Sequence, residues 1–242
     1  MQKLFLILII LFFYSNTEKK DSFEPVVVLE LFTSQGCSSC PSADELLKNI
    51  KFKNKQSEVI TLSYHVDYWN YIGWKDPFSK SDYTDKQRDY SRKFNTSTIY
   101  TPQIVVNGKE HFVGSNKTIM DAKLKSYLKT PSSNNIKIYD IKKDADGIDF
   151  KYEIEGKTFD KRMRFILVIN ERNTEISRGE NRNRVLKNDN IVVEEFRVKI
   201  NKTTGNARIV IPEVVKARDK LSLIAIVETS NLDITGGFQI ML

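Results

Sequence analysis

Two hydrophobic patterns divide the chain into regions of different secondary structure. In the first region, β-branched apolar runs alternate with segments that carry apolar side chains at the three- and four-residue spacing of a helix. These patterns predict a strand at 25–32, a helix that opens at 37–41 and reaches Ile50, a strand at 58–64, a helix at 81–94, hairpin strands at 101–106 and 110–113, and a helix at 116–129.

The second region shows alternation with a period of two residues, which is typical of strands that are buried on one face. Examples are Ile148, Phe150 and Tyr152, and later Ile209 and Ile211. The polar stretch at 130–135 separates the two patterns and contains Pro131. We therefore predict a first domain at 17–133 and a β-rich, sandwich-like C-terminal domain at 134–242.

The N-terminus has the layout of an export signal. Lys3 precedes the apolar run Leu4–Tyr14, and a charged stretch follows. An apolar run of this length is typical of a secretory signal peptide and is short for a membrane span. We therefore predict that residues 1–16 are a signal peptide or an N-terminal anchor. The expected location is periplasmic or extracellular, with membrane contact only through this segment if it is not cleaved.

Composition and charge argue against a disordered protein and against a nucleic-acid-binding protein. Of 242 residues, 40% are hydrophobic, which favours a packed core over disorder. The net charge is +7, and both regions contribute to it because Lys and Arg are spread along the chain rather than clustered. A nucleic-acid-binding protein concentrates its basic residues on one face or tail. The sequence therefore predicts no nucleic-acid partner.

The chain has only two cysteines, Cys37 and Cys40, in a C-x-x-C motif at the predicted start of a helix. A disulfide between them would close a loop of two intervening residues and would constrain the unfolded chain very little. The helix N-terminus would instead stabilise a thiolate. We assign the nucleophile to Cys37 and the resolving role to Cys40. Zinc would need four ligands, and the positions of His65 and His111 follow no zinc-site pattern, so no metal or other cofactor is predicted.

A second motif lies downstream and makes the C-x-x-C more specific. Thr101-Pro102 opens a predicted strand, and an Asn-Gly hairpin, Val113-Gly114 and a helix follow it. Residues 25–129 thereby resemble the thioredoxin fold. The resemblance implies that Pro102 is cis, that it lies against the C-x-x-C, and that the backbone beside it at Thr101 accepts an extended substrate strand. The implied fold class is an α/β thioredoxin-like fold followed by a β-rich, sandwich-like domain.

Longer motifs are similar to one bacterial family of exported thioredoxin-like proteins, domain of unknown function 1223. They are LELFTSQGCSSCP at 29–41, HVDYW at 65–69, GWKDPF at 73–78, YTPQ at 100–103, GENR at 179–182 and ITGG at 234–237. The resemblance spans nearly the whole chain after the predicted signal. It implies a fold and a thiol site, and it implies no established substrate.

Other polar residues are candidates for supporting roles. Glu30, in the strand before Cys37, could move the proton of the resolving thiol or be structural, because the two-residue period could turn it to the wrong face. His65 and Asp67 could act beside the cysteines or form a hydrogen-bonded framework. The loop at 172–184 could bind an anion or the first domain, and we expect it to be solvated.

Three functions remain open from the sequence. The first is an exported thiol–disulfide oxidoreductase, in which Cys37 and Cys40 exchange with a protein thiol or disulfide. The second is a copper carrier that binds Cu(I) through Cys37, Cys40 and His65, since soft thiolates and imidazole suit that ion. The third is a non-catalytic interaction module whose cysteines form a permanent disulfide.

Overall fold

The computed structural model describes residues 22–54 and 58–242. The predicted signal at 1–16 lies outside the described residues. The elements in chain order are β1 (Val27–Thr33), α1 (Pro41–Lys53), β2 (Val59–His65), a short 3-10 helix (Asn70–Ile72), α2 (Ser81–Lys93), β3 (Gln103–Val106), β4 (Glu110–Val113), α3 (Lys117–Tyr127), β5 (Asn135–Lys143), β6 (Gly147–Glu155), β7 (Lys161–Glu175), β8 (Val185–Lys199), β9 (Thr204–Val210), β10 (Leu221–Thr229) and β11 (Ile234–Met241). The order predicted for the first region is confirmed.

Eight strands form one mixed sheet in the order β11-β10-β7-β8-β2-β1-β3-β4. Strand β1 runs parallel to β2, with Phe32 opposite Tyr64, and antiparallel to β3, with Phe32 opposite Gln103. Strand β2 runs parallel to β8, where Ser63 lies opposite Ile191. The strands of the two predicted regions therefore share a single sheet, and this sheet brings C-terminal residues close to the start of α1.

Helices cover both faces of β1. Leu29 and Leu31 pack in one apolar cluster with Leu47 of α1, and α3 contributes to the same cluster. Phe32 packs in a second cluster with Tyr90 of α2. Because successive side chains of a strand point to opposite faces, β1 packs apolar side chains on both faces. This explains the continuous apolar run that predicted the strand.

A second sheet of three strands, in the order β5-β6-β9, packs on part of the large sheet. Ile148 and Phe150 of β6 share an apolar cluster with Phe165 of β7 and Leu223 of β10. This face-to-face packing has the predicted sandwich-like form, but one of its two sheets continues into β2, β1, β3 and β4. None of the three α-helices in the described part of the chain is long and apolar enough to cross a membrane.

Candidate functional site

Cys37 and Cys40 form a disulfide in the loop between β1 and α1, residues 34–40, which we call the cysteine loop. Their Cα atoms are 5.5 Å apart. Cys40 is the N-cap residue of α1, and Pro41 begins the helix. The disulfide therefore lies at the positive end of the helix dipole, where a thiolate is stabilised after reduction. Both cysteines are nevertheless buried, with Cys37 1% exposed and Cys40 fully covered.

The segment 66–78 after β2 is rich in aromatic residues, and we call it the aromatic segment. It packs against the cysteine loop. Gly36 packs so closely that a side chain there would approach Trp69 Cβ to 3.2 Å. The indole Nε1 of Trp69 donates a hydrogen bond of 2.7 Å to Thr101 Oγ1. Trp74 Nε1 donates to Gln35 Oε1 at 3.2 Å. These two indoles fix the cysteine loop against the segment that contains Thr101.

The peptide bond between Thr101 and Pro102 is cis, which confirms the geometry predicted for Pro102. Gly114 shows where this proline lies, because a side chain at Gly114 would meet Pro102 Cβ at 3.4 Å and Ala43 Cβ at 3.2 Å. Ala43 belongs to the first turn of α1. The structure thus brings Pro102 and Thr101 to the helix start that carries the cysteines.

A loop between β7 and β8 covers the cysteine loop. Asn181 Nδ2 donates to the carbonyl oxygens of Gln35 at 3.0 Å and Cys37 at 2.9 Å, and Asn181 is fully buried. The backbone N–H of Ser38 donates to Glu180 Oε2 at 3.0 Å. The prediction that the 172–184 loop is solvated is wrong at this point, because its tip packs on the first region.

His65 lies beneath this loop, at the end of β2, and is fully buried. Its Nδ1 and Asp76 Oδ2 are 2.7 Å apart. Asp76 Oδ2 also accepts the backbone N–H of Gln35 at 2.8 Å, so it acts as an acceptor and His65 Nδ1 carries the proton. Burial lowers the pKa of His65, but the Asp76 carboxylate outweighs burial and raises it above its ordinary value.

Asp44 is a second buried titratable group at the site. It lies one helical turn after Cys40, and its Oδ2 accepts from Thr33 Oγ1 at 3.2 Å. Burial raises the pKa of Asp44 to about 7, against an opposing effect of the nearby His65. Among the described residues, Asp44 Oδ1 and His65 Nε2 have no hydrogen-bond partner.

Sequence reasoning missed Asp44, Asp76 and Asn181. A usable signal existed for Asp44, since residues four apart on a helix lie on the same face and Asp44 follows Cys40 by four. Asp76 and Asn181 reach the site through long-range contacts that no local pattern indicates.

Glu30 lies away from the cysteines, on the face of β1 that α2 covers. Its carboxylate accepts from Arg164 Nη2 at 2.7 Å and from the hydroxyl of Tyr90. Burial raises the pKa of Glu30, but the charges of Arg164 and Lys86 outweigh it and hold the pKa below its ordinary value. Glu30 therefore stays ionised and paired. This fits the structural role that the sequence left open for it, rather than the proton-transfer role.

Asp67 also has framework partners. Its backbone N–H donates to Thr84 Oγ1 at 3.2 Å, and the Thr84 hydroxyl donates to Asp67 Oδ1 at 2.5 Å. These bonds attach the aromatic segment to α2. Within 22–54 and 58–242, no group of three or more His, Cys, Asp or Glu side chains is arranged to hold a metal ion.

Comparison with known proteins identifies a family and a similar solved structure. A family model described as "Protein of unknown function (DUF1223)" matches residues 28–228, which include both cysteines, Pro102 and Asn181. The X-ray crystal structure of a protein from Agrobacterium tumefaciens is similar to the chain, with a TM-score of 0.66 and 26% sequence identity. The similarity covers 90% of this chain and 95% of that chain. No curated protein gives a significant match.

Two further solved structures are similar only to parts of the chain. A DUF3823 family protein from Bacteroides ovatus has a TM-score of 0.32 and 12% identity over 46% of this chain and 54% of that one. A β-glucosidase from Kluyveromyces marxianus has a TM-score of 0.23 and 15% identity over 46% of this chain and 14% of that one. Neither similarity is high enough to bear on the fold or function of the chain.

Proposed function

The chain belongs to the family of proteins of unknown function DUF1223, and we propose that it is an exported thiol–disulfide oxidoreductase that acts on protein thiols or disulfides through Cys37 and Cys40. The observation that carries the proposal is the Cys37–Cys40 disulfide at the N-terminus of α1. A bridge over two residues adds little stability to a fold. Its position at a helix N-terminus suits reversible thiol chemistry instead.

The surroundings of the disulfide support a thioredoxin-like arrangement. Strand β1 leads into the cysteine loop and α1, and cis Pro102 precedes β3 beside the first turn of that helix. In this arrangement the backbone next to the proline presents an extended partner strand to the disulfide. Thr101, held by the Trp69 indole, is the residue on which that strand would dock.

The proposed exchange has two steps. Cys37 thiolate attacks one sulfur of a partner disulfide, so that a Cys37–partner disulfide forms and the other partner sulfur leaves as a thiolate. Cys40 thiolate then attacks Cys37 Sγ and releases the first partner sulfur. The partner disulfide gains two electrons, and the cysteine pair loses two and becomes the disulfide seen here. The reverse sequence oxidises a partner dithiol, and the relative reduction potentials set the direction.

Export is a second part of the proposal. The apolar run Leu4–Tyr14 behind Lys3 supports it. An oxidising compartment would also permit the Cys37–Cys40 bond to persist.

One observation favours a different function. Both cysteines are buried, and Asn181 is bonded to the carbonyl oxygen of Cys37. This cover suits a non-catalytic interaction module with a permanent disulfide, because a partner sulfur must approach Cys37 Sγ for exchange to occur. The two functions differ in whether the disulfide exchanges with a protein substrate.

A trapping experiment tests the proposal. The reduced Cys40→Ser variant should form a mixed disulfide with oxidised insulin, detected as a mass increase by intact-protein mass spectrometry. The reduced Cys37→Ser variant is the matched control and should trap far less, because the proposal assigns the first attack to Cys37 and only the resolving step to Cys40. Wild-type protein should catalyse insulin reduction by dithiothreitol. The absence of trapping and catalysis would favour the permanent disulfide.

A further inference from the structure

Four buried polar side chains lie together near the start of α1, in a cluster that we call the acid chamber: Thr33, Asp44, His65 and Asp76. They come from the end of β1, the first turn of α1, the end of β2 and the aromatic segment. Asp76 bonds both His65 Nδ1 and the Gln35 backbone next to the cysteines. The chamber therefore connects two titratable groups to the cysteine loop.

The acid chamber contains two unused hydrogen-bonding atoms. Asp44 Oδ1 and His65 Nε2 are buried without a close hydrogen bond in the described part of the chain, although the nearby Asn188 side chain lowers the pKa of Asp44. An unpaired buried polar atom destabilises a fold by roughly 1–3 kcal/mol, so two such atoms in one chamber call for an explanation. Both belong to groups whose protonation can change near neutral pH.

We propose that Asp44 is the proton acceptor for the Cys40 thiol, and that His65 and Asp76 position and tune it. This inference rests on the proposed oxidoreductase function. Cys40 and Asp44 are four residues apart at the start of α1, so their side chains lie on the same face. The Asp44 backbone N–H also donates to the Cys40 carbonyl oxygen at 3.1 Å. The Cys40 side chain therefore shares the start of α1 with the carboxyl group that the proposal makes its proton acceptor.

Glu30, the candidate from the sequence for a proton acceptor of the resolving thiol, does not fill this role. Glu30 faces α2, and its partners are Arg164, Lys86 and Tyr90. A carboxylate held ionised by two cations is a weak proton acceptor. Asp44 is a buried carboxyl group on the α1 side of β1, and burial raises its pKa to about 7, which suits proton exchange near neutral pH.

A groove gives Asp44 a route to solvent. It has a volume of about 340 Å³ and lies between the start of α1 and the start of β8. Its lining includes Asp44 and Lys48 of α1, Arg184, and Lys187 of β8. A proton taken by Asp44 can therefore reach bulk water without passing the disulfide.

The charged groups around Asp44 come from α1, three strands and two loops. His65 of β2 lowers the pKa of Asp44, and Asp76 of the aromatic segment raises it. Lys48 of α1 is paired with Glu171 of β7 at 2.5 Å. The remaining charged groups are Lys51 and Glu45 of α1, Asp189 and Lys187 of β8, and Arg184, which donates a hydrogen bond to Asn181 Oδ1.

The proton step fits the second stage of the exchange. With Cys37 joined to a partner sulfur, the Cys40 thiol gives its proton to the Asp44 carboxylate. The resulting Cys40 thiolate attacks Cys37 Sγ, the Cys37–partner bond breaks, and the partner sulfur leaves as a thiolate. Asp44 then loses the proton through the groove. In the reverse direction, protonated Asp44 returns the proton to Cys40.

A two-phase reaction with 5,5′-dithiobis(2-nitrobenzoate) separates this step from the first attack. Reduced full-length protein should release one equivalent of nitrothiobenzoate as Cys37 attacks the probe. A second equivalent follows as Cys40 resolves the mixed disulfide, at a rate independent of probe concentration. The Cys40→Ser variant should release only the first equivalent.

The second phase should depend on Asp44 near neutral pH. At pH 7, Asp44→Asn should slow it about 10²-fold, the usual size of a general-base effect. The difference should close above about pH 9, where a cysteine of ordinary pKa ionises without help. Asp85→Asn removes an exposed carboxylate of α2, outside the groove, and should leave the second phase unchanged.

The outcomes distinguish the two proposals. Wild-type protein that releases no second equivalent would overturn the oxidoreductase function itself. Normal resolution by Asp44→Asn, or slowing that persists equally at all pH values, would overturn only the role of Asp44. If Asp44→Asn does not fold, the wild-type pH profile decides. An inflection near pH 7 supports Asp44, whereas one near 8.5, the ordinary cysteine pKa, contradicts it.

Discussion

The Asn181 side-chain amide donates to the carbonyl oxygen of Cys37 at 2.9 Å, across 144 residues of sequence. A loop of the C-terminal region thereby closes over the cysteine loop of the N-terminal region. The same amide also holds the carbonyl oxygen of Gln35. Asn181 therefore links the cysteine loop directly to the loop between β7 and β8.

Removing this amide should expose the disulfide. We expect Asn181→Ala to increase the rate of disulfide reduction by glutathione several-fold and to lower the free energy of unfolding by about 1–3 kcal/mol, since two buried carbonyl oxygens lose their donor. Quenched thiol alkylation measures the rate, and urea unfolding measures the stability. Arg182→Ala, at an exposed neighbour, is the control. Equal reduction rates in the two variants would show that Asn181 does not limit access.

The acid chamber should make stability depend on pH. The pKa of Asp44 rises on folding from its ordinary value to about 7, so its stabilising effect is present below about pH 4 and is lost as pH rises to 7. The raised pKa of His65 acts in the same direction, with stability lost as pH rises above about 6.5. Asp44→Asn should remove up to about 4 kcal/mol of this dependence, at about 1.4 kcal/mol per pKa unit.

Urea unfolding of the oxidised protein between pH 4.5 and 8 measures this effect. Glu45→Gln should keep the wild-type slope, because Glu45 is exposed. A slope in Asp44→Asn as steep as that of wild type would show that Asp44 does not bind a proton on folding.

Asp76 should control the titration of His65. In Asp76→Asn the carboxylate that raises the pKa of His65 is lost, so burial dominates and the pKa should fall below its ordinary value. The imidazole proton signals in NMR spectra report this directly, and the other of the two histidines, His111, serves as an internal reference. Asp67→Asn removes a carboxylate from the same segment and should leave His65 unchanged. An unshifted His65 signal in Asp76→Asn would contradict the assigned pair.

Arg164 should be essential for stability and not for thiol exchange. It is fully buried and pairs with Glu30 at 2.7 Å, Glu195 at 3.0 Å and Glu228 at 3.0 Å. Arg164→Met leaves these carboxylates without their shared cation and should lower the free energy of unfolding by about 3–5 kcal/mol.

Arg88→Met breaks an exposed ion pair with Asp85 and should change stability by less than about 1 kcal/mol. Differential scanning calorimetry compares the two variants. Near-equal transition temperatures would show that the buried cluster does not stabilise the shared sheet.

Local patterns were sufficient to predict the elements around the site. Asn107 and Gly108 both adopt positive φ, at 47° and 67°, which is the type I′ turn expected between two hairpin strands. The apolar run of β1 and the helical spacing of α1 are likewise local, because each depends on neighbouring residues in the sequence.

Contacts between distant segments could not be predicted in the same way. His65 meets Asp76 only because the aromatic segment folds back over the end of β2. Asn181 reaches Cys37 only because β2 and β8 pair within one sheet. The strand period left the role of Glu30 open between a catalytic and a structural one, and its partner Arg164 lies 134 residues away.

An equilibrium redox titration of the Cys37–Cys40 pair in glutathione and dithiothreitol buffers tests the proposed function most directly. The proposal predicts a reduction potential between about −270 and −120 mV, the range of enzymes that exchange disulfides. A potential below about −300 mV is typical of a structural disulfide. That result would contradict the oxidoreductase proposal and favour the interaction module.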